Sequence, residues 1–136
     1  MEKFYLLDFP TCSDSRGQLT SLEQNVCVPF EIKRAYYIYN IPGNAVRGNH
    51  AHKSLEQIII AVAGSFEITL DDGKISKSFQ MTRANSGLYV GPMVWRSIRN
   101  FTENAICLVI TSEIYDESDY IHTYSEFVNA IEQLSN

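Results

Sequence analysis

The chain has 136 residues, with 11 Lys and Arg against 16 Asp and Glu and a formal net charge of −5. A chain of this length can bury a substantial core, so we predict a single domain over residues 1–136. The mild acidity and the dispersed basic residues argue against a nucleic-acid partner or an anionic membrane surface.

The cysteines and the apolar runs bear on the cellular compartment. Cys12, Cys27 and Cys107 are odd in number, far apart and without a CxxC spacing, which predicts buried, reduced thiols. No run approaches the roughly 18 apolar residues of a membrane span, and the opening MEKFYLLDFPTC lacks the pattern of a signal peptide. We therefore expect a soluble, cytoplasmic protein.

The N-terminal segment predicts a short strand followed by a turn. Residues 4–9, FYLLDF, form an apolar run that Pro10 ends, typical of a strand at a sheet edge or of one exchanged between copies. A polar segment follows and leads to a predicted strand at residues 18–23. Arg16 precedes the flexible Gly17 and is either a solvated charge in an ordinary turn or a cation at the site.

Residues 31–41, EIKRAYYIYNI, are rich in β-branched and aromatic residues and end at a PGN turn signal, so they predict a strand. Alternation divides this strand into two faces. Arg34, Tyr36 and Ile38 lie on one face, and Tyr37, Tyr39 and Ile41 lie on the other. Whichever face points inward carries at least one phenol, which suits either packing or the recognition of a sugar or base.

The stretch RGNHAHKSLEQIIIAVAG, residues 47–64, is the strongest indication of a site. Taken as one strand, it places the following residues on one face: His50, His52, Ser54, Glu56, Ile58 and Ile60. Gly48 permits a bulge or a turn that would bring Arg47 toward the same space. Two imidazoles on one wall can act as acid and base, or as metal ligands.

The remainder of the chain predicts more strands and one helix. Alternation on both sides of Asp72-Gly73 indicates a hairpin, and Gly87, Gly91 and Pro92 punctuate a further strand pair. Short strands with frequent turns predict an all-β sandwich or barrel. From Thr123 onward, a capping box and helical spacing of apolar residues predict one terminal amphipathic helix.

The histidine pair and a later glycine-punctuated strand pair resemble the two cupin motifs, which belong to metal-binding jelly rolls. His50, His52 and Glu56 match three of the four cupin ligands, so a metal-dependent cupin is one hypothesis. Arg96 stands near the expected fourth ligand. A guanidinium repels a dication and attracts an anion such as phosphate, which favours an anionic substrate.

A closer resemblance involves most of the chain. The segments DSRGQL, KRAYYIYNI, RGNHAHKSLEQ, LYVGPMVW and IYDESDYIHTYSEF resemble the cupin-fold nucleotide-sugar 3,4-ketoisomerases that act on dTDP-4-keto-6-deoxyglucose. The resemblance implies a metal-independent jelly-roll homodimer with swapped N-terminal strands, in the synthesis of deoxysugars for polysaccharides, S-layer glycans or antibiotics. It implies no cofactor. Asn49 departs from the family, which usually has an aromatic residue there.

The resemblance also assigns residues. It implies His50 and His52 as the catalytic acid–base pair. The residues that we predict to bind the substrate are cations and phenols: Arg47, Arg34, Arg16, Arg96, Tyr37 and Tyr39. Arg16 and Arg96 leave the stereochemistry of the product at C4 open, because family members differ there. A non-catalytic module that binds sugar nucleotides is a further hypothesis.

Overall fold

A computed structural model describes residues 2–135, which contain twelve β-strands, one short 3-10 helix (Glu117–Asp119) and one α-helix. The strands and the helix are, in chain order, β1 (Phe4–Asp8), β2 (Thr11–Asp14), β3 (Gly17–Thr20), β4 (Arg34–Ile38), β5 (Arg47–His52), β6 (Gln57–Ala63), β7 (Phe66–Asp71), β8 (Ser76–Met81), β9 (Ser86–Val90), β10 (Trp95–Arg99), β11 (Ile106–Thr111), β12 (Tyr120–Ile121) and α1 (Tyr124–Leu134).

Two five-stranded sheets form the body of the fold. One has the order β1-β9-β6-β11-β4, the other has the order β12-β5-β10-β7-β8, and β2 and β3 form a separate hairpin. The named strands pair antiparallel, and many partners are distant in sequence, such as β4 with β11 and β1 with β9. This is the predicted cupin-type jelly roll with a C-terminal helix, so the predicted fold class is confirmed.

The main core lies between the two sheets. Ile59 and Ala61 of β6 pack there against Phe66 and Ile68 of the opposite sheet. Ile58 of β6 points the other way and packs in an outer layer with residues such as Phe9, Phe30 and Tyr89. Because β6 is covered on both faces, its sequence is a continuous apolar run rather than an alternating one.

The predicted long strand over residues 47–64 is wrong, because it is two strands in different sheets. β5 ends at His52, and β6 begins at Gln57 on the other side of the sandwich. The connection turns where Asp119 Oδ1 accepts hydrogen bonds from the Ser54 backbone N (3.0 Å) and Oγ (2.7 Å). The change of sheet breaks the alternation, and Glu56 therefore does not share a face with His50 and His52.

The N-terminal strand and the C-terminal helix lie where the sequence predicts them. In this chain β1 pairs with β9, and Phe4 lies opposite Val90. At the other end, Thr123 caps α1 by accepting a hydrogen bond from the backbone N of Glu126 at 3.3 Å. No helix within residues 2–135 is long and apolar enough to cross a membrane.

The three cysteines differ in burial. Cys107 is buried, Cys27 is half-buried and Cys12 is exposed on β2. The prediction of buried thiols is therefore correct for Cys107 alone. Cys12 is exposed because its hairpin lies outside both five-stranded sheets.

Candidate active site

A β-bulge in β5 brings the candidate residues to one wall. Arg96 of β10 pairs with His50, but the next β10 residue pairs with Gly48, so Asn49 is an extra residue on β5. Gly48 and Asn49 both have positive φ, 84° and 54°. Arg47 and His50 are three positions apart and would point to opposite faces of a regular strand. The extra residue turns Arg47 to the same face, so it lines the same cavity as His50. Of the two predicted alternatives at Gly48, a bulge or a turn, the structure has the bulge.

Gly48 is needed for a second reason. A Cβ atom at this position would lie 3.0 Å from the backbone oxygen of Arg96 and 3.2 Å from its Cγ. A side chain here would therefore press on the Arg96 backbone as well as strain its own. The glycine lets β5 and β10 approach closely beside the histidines.

The cavity behind this wall has a volume of about 250 Å³ and opens between the two sheets. Strands of both sheets contribute to it. Its polar and aromatic lining consists of Arg34, Tyr36, Arg47, His50, Gln57, Arg96 and Tyr120. A neighbouring cavity of about 300 Å³ shares Arg34 and Tyr120 and contains His52. Tyr120 thus separates the surroundings of the two histidines.

His50 has a defined tautomer. Its Nδ1 lies 3.0 Å from the carbonyl oxygen of Gly48, which can only accept, so Nδ1 carries the proton and Nε2 keeps its lone pair. Burial and the nearby Arg96 charge lower the pKa of His50 from 6.5 to about 4. His50 is therefore a neutral imidazole at physiological pH, with an unprotonated nitrogen that can accept a proton.

His52 is more deeply buried, with 1% of its surface exposed. Its ring lies 4.8 Å from that of His50 and 4.4 Å from that of Tyr120, centroid to centroid. Burial, followed by the charge of Arg96, lowers the pKa of His52 from 6.5 to about 2. The site therefore holds two neutral imidazoles side by side, each with an unprotonated nitrogen that can act as a general base.

Arg96 is a buried cation without a carboxylate partner. It is only 2% exposed, and within residues 2–135 no acidic side chain forms an ion pair with it. Its guanidinium donates to Oε1 of Gln57 and, at 3.0 Å, to the carbonyl oxygen of Val94. Burial lowers its pKa to about 10, so it stays protonated at pH 7. Such an uncompensated charge suits an anionic ligand or an oxyanion.

Two other predicted arginines lie at the site and one does not. Arg34 lines both cavities, and its guanidinium carbon lies 4.6 Å from the centroid of the Tyr36 ring. Arg47 lines the smaller cavity. Arg16 lies in the exposed β2–β3 turn, where it pairs with Asp14 at 2.8 Å. The chain therefore does not bring Arg16 to the histidines.

The predicted role of Tyr37 and Tyr39 is not supported within this chain. They lie on the outer face of the sheet, 64% and 58% exposed, with ring centroids 5.6 Å apart. Because side chains alternate along β4, Tyr36 faces the cavity instead. The prediction that the inward face carries a phenol is confirmed, and this phenol is Tyr36, whereas the assignment of Tyr37 and Tyr39 to the substrate stays a prediction.

The structure also corrects the metal hypothesis. The carboxylate of Glu56 accepts a hydrogen bond from the hydroxyl of Tyr89 at 2.5 Å, in the outer layer. Within the described chain no group of three or more His, Cys, Asp and Glu side chains could hold a metal ion. The predicted triad of His50, His52 and Glu56 is therefore wrong.

Three residues at the site were missed. Gln57 occupies the place predicted for Glu56, and Tyr120 and Asp119 approach His52 from the segment before α1. The sequence contains a signal for the last two, because YDESDYI is among the segments that carry the family resemblance. Their roles are not apparent from the local pattern, since β12 reaches β5 only through tertiary pairing.

Comparison with known proteins identifies the family. The family model described as "FdtA: WxcM-like, C-terminal" matches residues 2–132. A TDP-4-oxo-6-deoxy-alpha-D-glucose-3,4-oxoisomerase of Aneurinibacillus thermoaerophilus is 41% identical over 130 residues, which cover 96% of this chain and 94% of that protein.

Solved structures agree in fold and sequence. A 3,4-ketoisomerase from Helicobacter canadensis is 44% identical with a TM-score of 0.94, covering 97% of this chain and 99% of that one. A variant of the 3,4-ketoisomerase from Thermoanaerobacterium thermosaccharolyticum, in complex with TDP-4-keto-6-deoxyglucose, is 37% identical with a TM-score of 0.94 and coverages of 98% and 96%. The motif resemblance is confirmed, and this chain belongs to the WxcM-like, C-terminal family of FdtA.

Proposed function

We propose that this protein is a sugar-nucleotide 3,4-ketoisomerase that converts dTDP-4-keto-6-deoxyglucose to a dTDP-3-keto-6-deoxyhexose in deoxysugar biosynthesis. The observation that carries the proposal is the cavity itself. It combines a neutral imidazole, that of His50, with the buried Arg96 guanidinium, which has no carboxylate partner, and His52 lies beside it. Moving a carbonyl along a sugar requires a base, a relay and an oxyanion partner, and no redox cofactor.

His50 is the base in this proposal. Its Nε2 takes the proton from C3 as the C3–H electron pair forms the C3–C4 double bond, and the former C4 carbonyl oxygen becomes an oxyanion. The guanidinium of Arg96 stabilises this charge. A proton then moves from the oxygen on C3 to the oxygen on C4. The Nε2 proton of the His50 imidazolium exchanges with solvent, and its delivery to C4 leaves a ketone at C3 and a hydroxyl at C4.

His52 is the relay between the two oxygens. It lies next to His50, but it lines the adjoining cavity with Tyr120, so the two imidazoles approach a sugar from different directions. Arg34 and Arg47 line the smaller cavity and are the proposed partners of the diphosphate. An anionic substrate also raises the pKa of both imidazoles, which strengthens them as bases in the complex.

We further propose that the active protein is a cytoplasmic homodimer with exchanged N-terminal strands, which acts in the synthesis of surface polysaccharides. β1 lies at the edge of its sheet and pairs there with β9, and the same pairing can form between β1 of one copy and β9 of a second copy. Exposed apolar residues on the outer side, such as Leu19, Tyr37 and Val62, suit burial in such an interface.

Light scattering that shows a monomer at micromolar concentration would contradict the dimer.

The activity is tested in deuterated water with dTDP-4-keto-6-deoxyglucose, and the sugar is followed by NMR. We expect a 3-keto product with deuterium at C4. His50→Asn and His52→Asn should each lower turnover by at least ~10²-fold. His122→Asn is the matched control, because this third histidine is exposed and faces Glu117 instead of the cavity. Binding of dTDP without any turnover would instead favour a non-catalytic module.

A further inference from the structure

Asp119 holds a fixed carboxylate beside His52. Its Oδ2 lies 3.6 Å from Nδ1 of His52, and its side chain is only 14% exposed. Oδ1 accepts two hydrogen bonds from Ser54, and Oδ2 accepts one from the backbone N of Leu55 at 3.2 Å. A carboxylate with three donors cannot rotate freely, so its position next to the imidazole is set by the connection between β5 and β6.

His52 lacks the hydrogen bonds that a buried imidazole needs. Neither ring nitrogen has a partner in the chain as described. The rings of His50 and Tyr120 lie next to it, and the positive charge of Arg96 acts on it. Asp119 supplies an acceptor about 0.5 Å beyond normal hydrogen-bond length, and such contacts shorten when a substrate fills the site.

We propose that Asp119 is a positioning residue for the proton relay, an inference that rests on the proposed function. Its carboxylate accepts the Nδ1 proton of His52 and so fixes the tautomer in which Nε2 is free. Nε2 can then take a proton from one sugar oxygen and give it to the other. Asp119 also stabilises the imidazolium that exists between these two transfers.

The test measures the tautomer of His52 directly, by long-range ¹⁵N–¹H NMR of the histidine rings. The His52→Asn spectrum identifies its signals. We expect the Nδ1–H tautomer in the wild type. Asp119→Ala has no side-chain acceptor to face Nδ1 of His52, so in this variant the ring should shift toward the Nε2–H tautomer. An unchanged tautomer would overturn the proposal.

Turnover supplies the second readout. Asp119→Asn should lower kcat by ~10- to 10²-fold, as is usual for a group that orients another, with KM within about 3-fold of the wild type. Asp116→Asn is the matched control. Asp116 belongs to the same segment and caps the short helix through the backbone N of Ser118 at 3.0 Å. Equal losses of kcat in both variants would mean that Asp119 is only structural.

The tautomer and the turnover together distinguish a failure of the proposed function from a failure of the positioning role of Asp119. The tautomer needs no substrate, so a wild type that lacks ketoisomerase turnover refutes the proposed function and still reports on the Asp119–His52 contact. If neither Asp119 variant folds, the tautomer of His52 in the wild type still tests the proposal. The Nε2–H form in the wild type would then refute the positioning role.

Discussion

Replacing Arg96 with methionine should make the free protein more stable and the enzyme inactive. Burial lowers the pKa of Arg96 from 12.5 to about 10, which at about 1.4 kcal/mol per pKa unit corresponds to about 3 kcal/mol spent in holding the guanidinium charged. Methionine has a similar length and no charge. Loss of the hydrogen bonds to Gln57 and Val94 costs about 1–2 kcal/mol. The net expectation is a free energy of unfolding higher by about 1–2 kcal/mol.

Urea unfolding followed by circular dichroism measures this increase in the free energy of unfolding. For a chain of this length the same increase should raise Tm by roughly 3–7 °C. Turnover should fall by at least ~10²-fold, because the oxyanion would lose the partner proposed for it. Arg16→Met is the control, since Arg16 is exposed and should change stability by less than about 0.5 kcal/mol. An Arg96→Met variant that is less stable than the wild type, or that keeps its turnover, would refute the reasoning.

Three further predictions concern residues in or next to the candidate active site. Because folding lowers the pKa of His50 from 6.5 to about 4, the unfolded chain binds more protons at this residue between these values. The free energy of unfolding should therefore fall as pH falls from 6.5 to 4, and urea titration should find this fall smaller in His50→Asn by up to about 3 kcal/mol. Glu56→Gln should leave turnover within about 3-fold of the wild type. Gln57→Glu should lower turnover in the same assay, because the new carboxylate would pair with Arg96. A large loss in Glu56→Gln and none in Gln57→Glu would mean that Glu56, and not Gln57, lies at the site with the histidines. Arg47→Ala should weaken dTDP binding by roughly 1.5–3 kcal/mol in calorimetric titration, and equal affinities would make Arg47 structural.

Local signals in the sequence predicted much of the fold. Alternation in residues 31–41 divided β4 into the two observed faces, and Asp72-Gly73 lies in the turn between β7 and β8. Thr123 marked the start of α1. Gly48 indicated the bulge that brings Arg47 to His50, because a glycine before a histidine pair permits the positive φ that a bulge needs. Each of these features depends on a few adjacent residues.

The errors have a different physical origin. Glu56 was placed with the histidines because the apolar run after it reads as a continuation of the same strand. The chain changes sheets there, and the carboxylate of Asp119 that holds the turn is more than sixty residues away in sequence. Likewise, the pattern of β4 cannot tell which face is inside, so it does not single out Tyr36 as the phenol of the cavity. Long-range packing decides both where the chain changes sheets and which face of β4 is inside, and strand periodicity carries no information about that packing.

The hydrogen bond from Arg96 to Gln57 joins a strand of one sheet to a strand of the other, at the end of the sandwich that holds the histidines. Neither sheet alone contains a complete site: β5 and β10 supply the imidazoles and the buried cation, and β6 supplies the amide that orients it. A partly folded chain with the layers separated would keep much of its strand structure and yet have no assembled centre. Enzymatic activity in this fold is therefore a sensitive indicator of whether the two sheets are docked.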